Sequence, residues 1–288
     1  MKCTLCPRNC KAERTLTTGK GYCKIPQDIF VGRIAPHYWE EPVISGKNGT
    51  AAVFFTGCTL GCIYCQNSEI SQLNQGKKMS VGEICNKISE LLKQGCETVS
   101  FITPTHYINK VKEIIDTLKP KVPVVYNTSG YETGEGIKSL NGYIDIYLPD
   151  LKYSSNSLGK EYSNADNYFD VASRAIEEMV LQTGAPIYNN ENILQKGTVV
   201  RNLVLPNHTR NSIEVIEYLS EKYGDTILFS LMGQYIPCHK AINHPKLNRK
   251  ITKREYQKVL NVFENSNLTG FCQELSSADE SYIPHWAI

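Results

Sequence analysis

The chain has 288 residues and a formal charge of +2. It is long enough to bury a sizeable core as one barrel-sized domain of about 250 residues or as two smaller ones. A charge so close to balance sets up no single-sign field and argues against nucleic acid or an anionic membrane surface as the main partner. Eleven cysteines, seven of them before residue 66, stand in a chain with no apolar signal region at its start and no apolar run of about 18 residues. That combination predicts a cytoplasmic protein that uses its thiols for metal rather than disulfides.

Taken in order, residues 1–28 form a short polar extension carrying Cys3, Cys6, Cys10 and Cys23. Four thiolates in so short a segment close a metal site, either tetrahedral zinc or an iron-sulfur cluster, and the spacing does not choose between them. The segment has little apolar surface, so ion binding would supply much of its folding energy. Residues 29–50 read as a β-rich linker. Its Pro36-His37-Tyr38-Trp39-Glu40-Glu41-Pro42 stretch is expected to cover one end of a barrel rather than to join the site.

The apolar run Ala51 to Gly57 predicts a buried strand, and Cys58-Thr59-Leu60-Gly61-Cys62-Ile63-Tyr64-Cys65 a loop at its exit. A cubane [4Fe-4S] cluster normally takes four thiolates, so a loop offering three leaves one iron open for chemistry. Structural zinc would want a fourth ligand nearby. Gln66 and Asn67 are poor ones, and the nearest downstream histidine is His106.

Beyond this loop, short apolar runs alternate with helical patterns, as in a parallel βα sheet. Helices are predicted over 81–94, 107–118, 168–182, 212–223 and 253–263. Strands are predicted over 98–103, 122–128, 143–150, 199–205 and 227–232, with a Ser/Asn-rich loop over 154–167 and a hairpin over 185–197. The fold class is α/β, a partial (β/α)6 TIM-type barrel over 51–265 with the four-cysteine extension before it and a tail, 266–288, packing on it. Active sites of such barrels collect at the carboxyl ends of the strands.

The C-x3-C-x2-C loop, with Tyr64 before its third cysteine, resembles the signature of the radical S-adenosylmethionine (SAM) superfamily. The resemblance implies that the amino and carboxylate groups of SAM chelate the open iron. Asn127-Thr128-Ser129-Gly130 is similar to the DTNG strand end of glycyl-radical-enzyme activating enzymes, with a neutral Asn127 where those enzymes carry a cation-binding aspartate. Asp150-Leu151-Lys152 matches their DLK segment, which implies Asp150 on the SAM ribose and Lys152 on its carboxylate. Arg201, inside the apolar strand Val200 to Pro206, needs a carboxylate partner and is implied as a SAM or substrate contact. Thr103-Pro104-Thr105-His106 stands where the family has a glycine-rich segment, so the carbonyls or hydroxyls of Thr103 and Thr105 are the candidate acceptors for the SAM ammonium, Thr105 being the one carried into the site. His106 reads equally as a satisfied loop histidine or an active-site one.

The whole pattern resembles the PflX-type branch, similar to pyruvate formate-lyase activating enzyme. It implies a [4Fe-4S] cluster and SAM as cofactors, a flavodoxin or ferredoxin as electron donor, and a 5'-deoxyadenosyl radical that abstracts hydrogen from a glycyl radical enzyme. The alternatives are radical chemistry on a small molecule or another peptide, and a non-catalytic zinc or iron-sulfur module.

Overall fold

The computed structural model describes residues 2–275 and residue 286. The chain enters its sheet through β1 (Ile29–His37), turns through the one-turn helix α1 (Pro42–Ser45), and returns antiparallel as β2 (Thr50–Phe55) with Val31 opposite Phe55 and His37 opposite Thr50. After α2 (Ser68–Ser71), β3 (Lys77–Met79) pairs with the free side of β1. Helices and strands then alternate: α3 (Val81–Lys93), β4 (Thr98–Ile102), α4 (Ile108–Leu118), β5 (Val124–Thr128), α5 (Gly134–Lys138), β6 (Ile146–Pro149), α6 (Asn156–Ser163) and α7 (Tyr168–Thr183). The hairpin β7 (Ile187–Tyr188) to β8 (Leu194–Leu203) follows, then α8 (Thr209–Lys222), β9 (Leu228–Met232), α9 (Lys253–Glu264) and β10 (Thr269–Cys272).

Strand order is β10-β9-β8-β6-β5-β4-β2-β1-β3. From β2 to β10 every pairing along this path is parallel. Six of these strands are the expected partial barrel wall. The sheet stays open because its two edges, β10 and β3, do not pair with one another. α1, α2, β3 and α5 were not expected, and two further additions bear on the barrel. Residues 269–272, expected in a tail, add a seventh parallel strand beside β9, with Gly270 lying so close that a Cβ there would sit 1.9 Å from the Phe229 carbonyl oxygen. Residues 156–163, expected in a loop, form α6, capped where Ser155 Oγ accepts from the Leu158 amide.

Parallel strands covered on both faces read as continuous apolar runs, and every residue of β2 is buried. The helices cover the outer face with amphipathic stripes. In α3 the buried positions are Ile84, Cys85, Ile88 and Leu91, and a capping box fixes its start, Ser80 Oγ accepting from the Glu83 amide while Glu83 Oε2 accepts from the Ser80 amide. Inside the barrel, residues from the early parts of the strands (Val125, Ile146, Val199 and Leu228) pack with Leu148 and with Ile44 of α1. This apolar layer closes the lower end. The charged groups of the barrel interior lie above it, toward the strand ends.

Candidate active site and cysteine centres

One cavity, with about 1410 Å³ of space including its open mouth, runs along the carboxyl ends of the strands. Cys58, Cys62, Cys65 and Tyr64 line it from the loop after β2, Asn127 from β5, Asp150 and Lys152 from the end of β6, and Arg201 from β8. The residues that sequence reasoning picked from four separate strand ends therefore share a single space. Thr105 does not line it. Thr103, the other candidate acceptor, does line it, in a left-handed conformation with φ of 56°. The buried Thr105 hydroxyl instead donates to Glu132 Oε1 (2.6 Å). The expectation that Thr105 faces the SAM ammonium is thus not carried by the geometry, because the carboxylate draws its side chain away from the cavity.

Each of the three loop sulfurs has a hydrogen-bonding neighbour. The Leu60 amide donates to Cys58 Sγ (3.3 Å), Ser163 Oγ donates to Cys62 Sγ (3.1 Å), and Ser71 Oγ lies 3.2 Å from Cys65 Sγ. The Ser163 contact ends a relay of hydroxyls. Tyr64 Oη donates to Tyr153 Oη (2.8 Å), which lies 2.7 Å from Ser163 Oγ. With the serine proton committed to sulfur, Tyr153 must donate to Ser163, so the relay points one way. Burial, then the neighbouring Cys62, pushes Cys65 up to about 12 and Cys58 upward. These thiols hold their protons until a metal displaces them, and metal uptake releases protons.

Asp150 is the hub of the charged groups. Its Oδ1 accepts from Arg201 Nε (2.9 Å) and its Oδ2 from Lys152 Nζ (2.6 Å). Burial alone would raise its pKa, but the Arg201 and Lys152 charges outweigh burial and hold it below the usual carboxylate range. Arg201 reaches on to Asn127 Oδ1 (2.7 Å), and Asn127 Nδ2 donates to Glu40 Oε1 (2.7 Å), which also accepts from Ser100 (2.9 Å). The linker set aside as a cover thus inserts a carboxyl into the barrel, and His37, Trp39 and Glu40 line the cavity. Burial raises the pKa of both Glu40 and Glu41, and the Oε2 atom of each is buried without a hydrogen-bond partner. Two adjacent acids ahead of a proline were the available signal.

His106 does not line the cavity at the strand ends, and its Nδ1 is buried without a hydrogen-bond partner. Its Nε2 is 2.7 Å from the Thr56 carbonyl oxygen, and burial lowers its pKa to about 3, leaving the ring neutral. Cys85, Cys96 and Cys238 are capped by single backbone carbonyls rather than gathered into a site.

The second cysteine set is equally gathered. Cys3, Cys6, Cys10 and Cys23 line one small space together with Arg8, Arg14, Thr59 and His106. Burial and the nearby Cys23 and Cys3 push Cys6 up to about 12 despite a backbone hydrogen bond from Arg8. Among the described residues no three His, Cys, Asp or Glu side chains converge on a single-ion point.

Residues 52–192 match the family model for the radical SAM superfamily. An uncharacterized protein of Methanocaldococcus jannaschii is 30% identical over 274 residues, 92% of this chain and 75% of that protein. The chain belongs to the radical SAM superfamily, whose members are oxidoreductase-type enzymes that work through a [4Fe-4S] cluster and SAM. It is also similar to 7-carboxy-7-deazaguanine synthase of M. jannaschii, 25% identical over 215 residues, 67% of this chain and 77% of that one. Among solved structures, SuiB of Streptococcus suis bound to S-adenosylmethionine aligns with a TM-score of 0.53 at 16% identity, over 78% of this chain and 51% of that one. A radical SAM methyltransferase of Sphaerobacter thermophilus aligns at 0.55 and 10% identity, over 78% and 66%. The chain spans about half the length of SuiB, and these two likenesses show the fold. Among the described residues no helix is long and apolar enough to cross a membrane.

Proposed function

We propose that Cys58, Cys62 and Cys65 hold the [4Fe-4S] cluster and leave one iron to the amino and carboxylate groups of SAM. The observation that carries this reading is that the three thiols, each with a hydrogen-bonding neighbour, and the Asp150, Lys152 and Arg201 group line the same cavity. When bound, the cluster and SAM supply a one-electron reductive cleavage of the sulfonium and a 5'-deoxyadenosyl radical that abstracts hydrogen. The chain's own residues bind and orient. Lys152 pairs with the SAM carboxylate, and because Arg201 also neutralises Asp150, that turn does not strand a buried anion. Asp150 keeps lone pairs for the ribose hydroxyls. Tyr64 walls the cluster from the barrel, and the apolar lower layer excludes water from the radical.

The substrate reading supported by the NTSG and DLK strand ends is that of an activating enzyme of the PflX type: a glycine Cα hydrogen on a partner glycyl radical enzyme, with a flavodoxin or ferredoxin as donor. A second reading, a small-molecule substrate, is favoured by the unpartnered Glu40 Oε2 in a cavity-lining carboxyl and by the likeness to 7-carboxy-7-deazaguanine synthase. Cys3, Cys6, Cys10 and Cys23 form a second metal site, zinc or iron-sulfur, saturated by protein thiolates. The test is anaerobic EPR of the reconstituted, reduced protein with and without SAM, with 5'-deoxyadenosine assayed in parallel. A [4Fe-4S]+ signal that SAM perturbs, with nucleoside product, is expected, and a glycyl radical on an added partner enzyme would select the activase reading. Nucleoside formed with no glycyl radical on any such partner would reject it.

A further inference from the structure

Arg8 stands between Cys6 and Cys10 of the N-terminal set, yet its guanidinium belongs to the other centre. Its Nε donates to the carbonyl of Thr59 (2.8 Å), and its Nη2 donates to the carbonyls of Leu60 (2.9 Å) and Ser163 (2.8 Å). Its Nη1 donates to the carbonyl of Asn164. Thr59 and Leu60 lie between the first two cysteines of the loop, and Ser163 and Asn164 end α6, where helix carbonyls have no partner of their own. A cation at a helix carboxyl terminus is also favoured by the helix dipole. The same guanidinium stacks 3.9 Å from the Tyr22 ring centroid, next to Cys23, and Tyr22 Oη donates to the Leu60 carbonyl (3.2 Å). One half-buried side chain therefore ties the four-thiol segment, the cysteine loop and the end of α6 together. Ser163, whose carbonyl Arg8 takes, is also the residue whose hydroxyl donates to Cys62 Sγ.

We infer that Arg8 is a positioning residue that keeps Ser163 hydrogen-bonded to Cys62, so that occupancy of the N-terminal four-thiol site sets the electronic state of the loop's cluster. The inference rests on the assignment of the cluster to Cys58, Cys62 and Cys65. Hydrogen bonds to cluster sulfur stabilise the more negative, reduced state and so raise its potential. Cys6 and Cys10, pinned by a bound thiophilic metal, hold the intervening Arg8 in place; the segment's apolar contacts with the core come from Leu5, Cys23 and Ile25, outside the Cys6 to Cys10 turn. The two cysteine sets are then one device, the first acting on the second through four carbonyls and one hydroxyl.

The experiment is a reductive titration of the anaerobically reconstituted full-length protein, followed by EPR, with iron and zinc counted per chain and the rate of iron loss to a chelator measured. Arg8→Gln and Ser163→Ala are each expected to move the cluster's midpoint potential in the negative direction. Combined, they should move it no further than the larger single change, because both remove one bond. Arg8→Gln should also lose iron about tenfold faster, the scale of an outer-shell defect. The pair Cys6→Ser with Cys10→Ser should reproduce the shift of Arg8→Gln. Arg8→Lys, which keeps the charge without the fork, should restore part of it. A SAM-responsive wild-type signal with an unmoved potential in Arg8→Gln, or fully additive shifts, overturns the brace alone. A wild type without a SAM-responsive [4Fe-4S]+ signal overturns the cluster assignment and the brace with it.

Discussion

The molecule gathers cysteines in two places, and the two differ in what holds them. Cys58, Cys62 and Cys65 leave a fully buried strand, and two of their three sulfurs are met by side chains from α2 and from α6. Cys3, Cys6, Cys10 and Cys23 sit in a segment whose described backbone is mostly turns and isolated bridges such as Lys2 to Glu13 and Arg14 to Gly19. The loop is shaped by the barrel whether or not it is loaded. The N-terminal segment is tied down at a few points: Arg8, Tyr22 on the Leu60 carbonyl, Ile25 in the core, and Arg14, which donates to the carbonyls of His106 (2.9 Å) and Pro26 (2.6 Å). Three ligands on a preformed frame suit a centre that must leave a coordination position open, and four on a soft frame suit one that closes around its metal.

The largest expected effect separates the two sets. Cys62→Ala should abolish 5'-deoxyadenosine formation and the SAM-responsive EPR signal while leaving the metal bound by the N-terminal set, as read by metal analysis. If metal is lost equally from both, the N-terminal site does not stand without the loop's cluster and the comparison fails.

Next in size are two buried carboxyls whose pKa values move in opposite directions. Asp150→Asn leaves Lys152 and Arg201 without their anion and should lower stability by about 3–5 kcal/mol in denaturant unfolding, with weaker SAM binding. Because the Asp150 pKa is depressed in the fold, its stabilisation is present above about pH 4 and is lost as the pH falls through the folded value. Glu132 lacks a cation. It accepts hydrogen bonds from the hydroxyls of Thr105 and Thr128, and burial outweighs them, raising its pKa from 4.5 to about 7. Here the sign reverses. The protonated acid stabilises fully below about pH 4.5, and that contribution is lost as the pH rises to about 7, a decline of up to about 3 kcal/mol. Glu132→Gln should flatten this part of the stability profile, and a decline as steep as the wild type's would show that Glu132 is not its source.

How much of this was legible depended on whether a residue's role is local. Parallel strands announce themselves as apolar runs, and each strand end carries its own chemistry, so Asp150, Lys152 and Arg201 could be picked separately before the sheet brought them together. The direction of the Thr105 hydroxyl was not legible, because its partner Glu132 comes from the loop after another strand. Glu40 lay in a linker whose insertion into the barrel is set by the antiparallel return of β1 onto β2. β10 and α6 were missed for a simpler reason: Thr269-Gly270-Phe271-Cys272 is too short and exposed to alternate, and the Ser/Asn-rich run before Tyr168 hides a helix of eight residues. Arg8 was visible as a letter between two cysteines, but its four carbonyl partners are more than fifty residues away.

The smallest effect serves as the reference for all the others. Ser80 caps α3 on the outer surface of the barrel, accepting from the Glu83 amide (3.2 Å) while Glu83 Oε2 accepts from the Ser80 amide (2.7 Å). Neither residue lines the cavity or the four-thiol space. Ser80→Ala removes one half of a reciprocal cap and should cost about 1 kcal/mol of global stability. If both centres depend only on overall stability, this variant should shift metal content and the cluster signal in proportion to that loss. If they depend on their own frames, unfolding moves to lower denaturant while iron per chain, chelator kinetics and the SAM response stay at wild-type values. The second outcome is expected, because the α3 cap touches neither the loop after β2 nor the end of α6. A changed SAM response in Ser80→Ala would mean that defects anywhere in the barrel reach the loop, and the losses in Asp150→Asn could then no longer be assigned to its ion pairs.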